Sequence, residues 1–358
     1  MTSTPRSDDA RESAPALADY ATHSPYSDPG PRAGLVAAVP PDAASLHRAV
    51  TSAVVHYRAG ATPPTPDQLA DVDGRWVATI LATAARRAPG LALNDARDPR
   101  DQVGGCCRDH SLLAVAVLRE HGVPARTRLG FASYLGAGFR TDHVVVERWV
   151  PDGARPGPAT ATPGRWVRLD PELRPADHAF DPYDLPTGEG SPFETAAEAW
   201  RAYRAGRTDL AAYGVAPGHP ALAGPAFVHR YVLGDLAHRM RTELLLWDVW
   251  GVMAPFGEEP DDAAVALADR VADLTLAADA GDAAAHEALA ALWRADRRLR
   301  PGPTVATLSP SGRTGTTDLR SRRTAWLGPG PHGPLVGPGP HGPLAGPGPT
   351  PAPVSPGR

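Results

Sequence analysis

The chain contains no lysine, so all 36 of its basic side chains are arginine and no lysine amine is available to acyl-transfer chemistry. Cysteine is nearly as scarce, with only Cys106 and Cys107, which are adjacent. Neighbouring cysteines exclude a disulfide framework and fit a reducing compartment, so a cytoplasmic location is expected. An excess of charge is missing as well: 40 acidic residues face 36 basic ones, for a net charge of −4. Without a broad field to hold phosphates or anionic lipid, neither a nucleic-acid nor a membrane partner is expected. No run approaches the roughly 20 apolar residues of a membrane span, and the first residues lack a basic then apolar leader pattern.

What is present is enough apolar residue for a sizeable core, 42 % of 358 residues, in one large domain or two small ones. Proline and glycine are unevenly placed. Residues 301–358 hold 26 of them, and GPGPHGPL recurs at 328–335 and 337–344. So few large apolar side chains cannot offset the entropy of ordering, so 301–358 is expected to be a disordered tail of polyproline character, open to a protein partner. His332 and His341 on that tail lack the preorganisation a metal site needs. Residues 1–33, rich in Ser, Asp, Pro and Thr, are expected to be disordered too.

Between these ends the pattern is mixed. Helical spacing is expected over 41–59, 66–88 with a break near Gly74, and 106–121, where Gly122 and Pro124 supply the stop. The last of these is apolar nearly all round, from Leu112 to Leu118, which marks a helix buried at the centre of a domain. Strand-like runs follow at 126–132, 143–150 and 165–170, and helices return at 193–205, 227–252, 261–279 and 282–299. The expected class is α+β, with a core over 34–190 and a helical part over 191–300 packed on it.

A thiol nucleophile needs a thiolate, a base within reach and a group that orients the base. Cys107 follows Gly104 and Gly105 at a helix start, where free N–H groups and the positive dipole end are expected to lower a thiol pKa. Antiparallel pairing of 143–150 with 165–170 brings His143 to Asp170. The same pairing lets Glu147 meet Arg168 further along that face.

The blocks GGCCRDHSLLAVAVLREHGVPARTRLGF, TDHVVVERW and GRWVRLDPEL resemble, in that order, the core of the transglutaminase-like superfamily. The resemblance covers about 104–173. It implies a papain-like, transglutaminase-like core with a central helix on an antiparallel sheet, and a catalytic Cys107, His143 and Asp170 acting without cofactor or metal. It also implies a peptide or amide substrate and a thioester intermediate, resolved by water in a protease or amidase and by an amine in a transglutaminase. Hydrolysis is favoured, since no D-x-D-x-D-G calcium run is visible. The alternative is a non-catalytic peptide-binding or scaffold module. Cys106 is read as a packing residue, with a regulatory bond to Cys107, which would close a strained ring, as the minor alternative; a zinc site shared with His110 is disfavoured because vicinal ligands fit tetrahedral geometry badly. Arg126 is read as the partner of a carboxylate or carbonyl. Gln102 is a candidate second oxyanion donor, against the plainer role of a surface polar residue.

Overall fold

The computed structural model describes residues 14–60, 62–153 and 163–330. Its helices begin where short polar side chains can satisfy the free N–H groups of a first turn. After the five-residue α1 (Ala33–Ala37), Asp42 accepts from the Ser45 N–H at 2.9 Å and starts α2 (Ala43–Ala53). The β-branched pair Val54 and Val55 then leaves the helix for β1 (Val54–His56), so the helix expected over 41–59 ends at Ala53. Thr65 and Gln68 cap α3 (Pro66–Asp71) reciprocally, and α4 (Val77–Arg87) follows. Strand β2 (Val103–Gly105) runs parallel to β1 and ends against α5 (Cys107–Glu120). A Cβ on Gly104 would lie 2.0 Å from the Gln68 carbonyl, which explains the glycine at this close approach.

Helix α5 is buried from Cys107 to Arg119. Most of its polar side chains find partners inside the protein: Ser111 Oγ donates to the Val144 carbonyl at 2.7 Å, and Arg119 bonds Glu243 and Ser27 at 2.9 Å each, while Arg119 Nη2 and Arg108 Nε have none among the described residues. Its aliphatic side chains, Leu112 to Leu118, form the middle of the core, where truncation of one leucine costs about 2–5 kcal/mol. Beside it lies the main sheet. Strand β3 (Ala125–Ala132) pairs antiparallel with β4 (Arg140–Pro151), which pairs antiparallel with β5 (Gly164–Leu169). The short β6 (Phe193–Thr195) adds to the end of β3, leads into α6 (Ala196–Arg204), and is followed by β7 (Tyr213–Gly214), parallel to β4. Because β6 covers only Gly130–Ala132, the rest of that β3 edge is open, and α7 (Gly224–Arg239) closes it with Asp235, which accepts from the Leu129 N–H at 2.8 Å.

The C-terminal part is not purely helical. Helix α7 stops at Arg239, and Arg241 turns the chain with φ of 61°, so the helix expected over 227–252 is shorter and Asp248–Val249 form β8. Helices α8 (Asp262–Asp279) and α9 (Ala283–Ala295) pack on each other. Then β9 (Thr304–Leu308), β10 (Arg313–Asp318) and β11 (Arg323–Pro329) form an antiparallel sheet with β8. The disordered tail expected from residue 301 is therefore corrected for 301–330: threonines at strand spacing build a sheet that buried Arg75 ties to the core through Asp248 at 2.6 Å and Thr307 at 2.7 Å. Most of the GPGPHGPL repeats lies outside the described residues.

The N-terminal expectation is corrected likewise for 14–33. Tyr20 Oη donates to the Arg239 carbonyl at 2.8 Å, Ser24 Oγ donates to Glu243 Oε2 at 2.7 Å, and Tyr26 joins the core. A few anchored side chains hold a stretch whose average composition reads as disordered. Residues 1–13 lie outside the described residues. The class is α+β, and no helix among the described residues is long and apolar enough to cross a membrane.

Candidate active site

The two-residue repeat of β4 places His143 and Glu147 on one face of the sheet, and β5 presents Arg168 and the following Asp170 to that same face. The β4–β5 register opposes Glu147 to Arg168; Asp170, one step past the ladder, meets His143, two residues beyond Val145 on the same face, with Nε2 and Oδ2 2.7 Å apart. Asp170 is fully buried and held from three sides. Tyr134 Oη donates to the same Oδ2 at 2.7 Å, and the Glu172 N–H donates to Oδ1 at 2.9 Å. The imidazole is wedged between aromatic edges, Tyr134 at 6.0 Å and Phe193 at 6.4 Å between ring centres. A ring held this way, with Nε2 on a carboxylate, leaves Nδ1 as the nitrogen for chemistry.

Cys107, at the first position of α5, lines a cavity of about 110 Å³ together with His143, Cys106, Asp142 and Glu172. Most of the remaining wall is apolar and aromatic. Among its polar groups, Asp142 and Glu172 act on the thiol, and Arg58 and Arg313 also line it. Tyr231 Oη donates to Asp142 Oδ2. Glu172 Oε2 lies 3.4 Å from His110 Nδ1, and its Oε1 is buried without a hydrogen-bond partner.

The electrostatics differ from the expectation at one point. The Cys107 thiol is pushed well above its usual range by its hydrogen bond with Cys106, by burial and by the carboxylates of Glu172 and Asp142. These outweigh the helix start, so the lowered thiol pKa expected from Gly104–Gly105–helix placement is corrected. Burial works against a charged His143, but the Asp170 carboxylate and its hydrogen bond win and raise the imidazole above 6.5. For Asp170 burial raises and His143 lowers, with a net lowering. Burial lifts both Glu172 and Asp142 above the ordinary carboxylate range. The resting site thus pairs, in one cavity lining, a neutral thiol with a carboxylate-bonded imidazole.

His143, Asp170 and Glu172 have ligand atoms within 4.8 Å of one another, which makes them the group of described residues best spaced for a metal ion. Both Asp170 oxygens are already hydrogen-bonded, so these donors are engaged in holding the imidazole. His110 is engaged with the backbone: Nδ1 faces the Cys106 carbonyl at 3.0 Å and Nε2 the Val54 carbonyl at 3.2 Å. Gln102 is also engaged elsewhere, its amide donating to the Thr51 and Ser52 carbonyls at 2.7 and 3.0 Å, and it does not line the cavity. Cys106 packs as expected, and its N–H donates to Asp109 Oδ2 at 2.9 Å. Glu172 and the Asp142–Tyr231 pair were not anticipated. The first lies two residues after Asp170 in LDPEL, where an acid beside an acid is a signal of a shared site; the second has no local signal, since Tyr231 comes from α7.

Residues 76–171, about a quarter of the chain, match the model of a family described as the transglutaminase-like superfamily. This segment is transglutaminase-like. It runs from the start of α4 to the end of β5 and holds Cys107, His143 and Asp170. No curated protein matches the chain in sequence. A solved structure of a proposed cysteine protease from Cytophaga hutchinsonii is similar over 30 % of this chain at 18 % identity, with a TM-score of 0.15, a likeness of shape too slight to carry anything further. The match spans 39 % of that protein's chain.

Proposed function

We propose that the chain is a cysteine-dependent enzyme acting on an amide, with hydrolysis favoured over transfer to an amine. The observation that carries this reading is the His143–Asp170 pair, 2.7 Å apart, opening onto the cavity that Cys107 lines, within a transglutaminase-like segment. Cys107 Sγ attacks the amide carbonyl while its proton passes to neutral His143. The C–N bond then breaks, the imidazolium returns the proton to the leaving amine, and a thioester remains. Water attacks the thioester with His143 again as base, releasing the acid and restoring the thiol. Asp170 holds the tautomer and offsets the charge that builds on the ring. Glu172 Oε1, buried and unpartnered beside the thiol, is an acceptor for a substrate N–H.

Acylation by p-nitrophenyl acetate, followed by intact-protein mass spectrometry, tests the reading. One acetyl group on Cys107 is expected, absent in Cys107→Ser and still formed in Cys106→Ser. Added methylamine should leave the release of free acid dominant if hydrolysis is the outcome, whereas an amide product would favour amine transfer. A Cys107 that becomes acylated only after unfolding would overturn the enzyme reading and leave the peptide-binding one.

A further inference from the structure

The cavity that holds Cys107 continues well beyond the reacting atoms. Its wall carries a run of touching aromatic rings: Tyr231 lies 4.7 Å from Phe227, Phe227 lies 6.3 Å from Phe256, and Tyr57 meets Trp247 edge-on at 6.5 Å. A catalytic dyad and one thiol do not need a surface of this kind. The same cavity is bordered by Gly312 and Gly330, and the Gly330 N–H donates to the Gly312 carbonyl at 2.6 Å. That bond, just past β11, fixes the backbone at the cavity's border, and residues 331–358 continue from there.

We propose that this aromatic wall is a docking site for the chain's own segment 331–344, PHGPLVGPGPHGPL, seated with Leu335 against the rings. Chemistry, reach and tethering each favour that occupant. Five of its fourteen residues are proline, which has no N–H to strip of water on entering an apolar cavity, and proline-rich chain is held near the extended helix that aromatic grooves accept at low entropic cost. Leu335 and Leu344 are the large apolar side chains of the two repeat units, and the segment carries no carboxylate or guanidinium to bury. At about 3.1 Å per residue, Leu335 reaches roughly 15 Å from Gly330, enough to enter a cavity whose border Gly330 already forms. A short tether sets an effective concentration in the millimolar range, so even an affinity of about 1 mM half-fills the site. A substrate reaching Cys107 along this wall must displace the segment, which makes the tail a built-in competitor.

Occupancy is independent of whether Cys107 reacts, so the test reads contact rather than turnover. The full-length protein with Leu335→benzoylphenylalanine is irradiated at low micromolar concentration and the cross-links are located by mass spectrometry. Cross-links within one chain to Trp247, Phe256 or residues 308–314 are expected, at a yield that does not change on dilution and that falls when free peptide 331–344 is added in excess. Cross-links scattered over the outer surface, or between chains, or no more frequent in the cavity than from Val354→benzoylphenylalanine, would overturn the proposal. A second measurement uses the full-length Leu335→Asp/Leu344→Asp variant, whose cavity should bind the neutral dye Nile red at least about twofold more tightly than the parent does. Equal affinity of the two proteins for the dye would also count against the docked segment.

Discussion

Two charged clusters sit on one face of the same three strands and are treated in opposite ways. At one end of that face, Glu147 is enclosed by Arg126 at 2.7 Å, Arg128 at 3.0 Å and Arg168 at 2.9 Å, and Arg128 in turn meets Asp235 and Asp279, both at 2.9 Å. Every charge there has an opposite neighbour, and the arginines hold the Glu147 and Asp279 carboxyls far below the usual carboxylate range against the cost of burial. Four residues back along β4, His143 has a single carboxylate on one nitrogen and a cavity on its other side. The first cluster is saturated and holds α7 and α8 to the sheet. The second is left one partner short, and that open valence is what a reacting group can fill.

The contrast fails if both ends respond alike to mutation, and the largest effect should come from the saturated one. Glu147→Ala leaves three buried guanidiniums without their shared partner, and a loss of about 3–5 kcal/mol is expected in urea unfolding. His143→Gln should slow acylation of Cys107 by about 10²–10⁴ while losing clearly less stability than Glu147→Ala; equal losses would erase the difference between the two ends.

Acid separates the two ends further. His238 on α7 is buried neutral, its Nδ1 accepting from Thr127 Oγ1 at 2.8 Å and its Nε2–H donating to the Leu244 carbonyl at 3.0 Å, and burial pushes its pKa down to about 4. Between pH 6.5 and 4 the unfolded chain therefore binds more protons there than the folded one, and stability falls as pH falls. The drop across that window should reach about 3 kcal/mol in unfolding titrations and flatten in His238→Gln. The site end should give a different signature. The base form of His143 is needed for attack, so acylation should rise with pH along a limb centred above 6.5, and Asp170→Asn should move that limb to lower pH as well as slow the reaction. A limb that stays in place would mean that Asp170 does not set the imidazole's charge.

Much of this contrast could be read from the sequence, because it follows from local periodicity. The alternation of β4 and β5 was enough to put His143 near Asp170 and Glu147 near Arg168, and the structure has both contacts. A helix apolar on every side between a glycine pair and Gly-Val-Pro pointed to a buried α5 in the same way. Pairings distant in sequence were out of reach. Nothing near Val54 marks it as the partner of Val103, and nothing near Asp248 or Thr307 marks them as the seat of Arg75. Composition averaged over long windows misled at both ends, since the threonine strands of 304–318 are diluted by the proline and glycine beyond Gly328. The direction of the Cys107 shift was misread for a related reason: a helix start is visible in sequence, while Asp142 and Glu172 converge on the thiol only through the fold.

The hydrogen bonds that seat β9 on β8, with Thr307 opposite Asp248, also set an order of events during synthesis. Cys107, His143 and Asp170 leave the ribosome long before residues 308–314 and Gly330, which supply part of the wall around the thiol. A nascent chain can fold α5 against the main sheet and still present the nucleophile in an unfinished chamber. The chamber is completed only when the last described strands arrive, so the order of translation itself delays the appearance of a finished site.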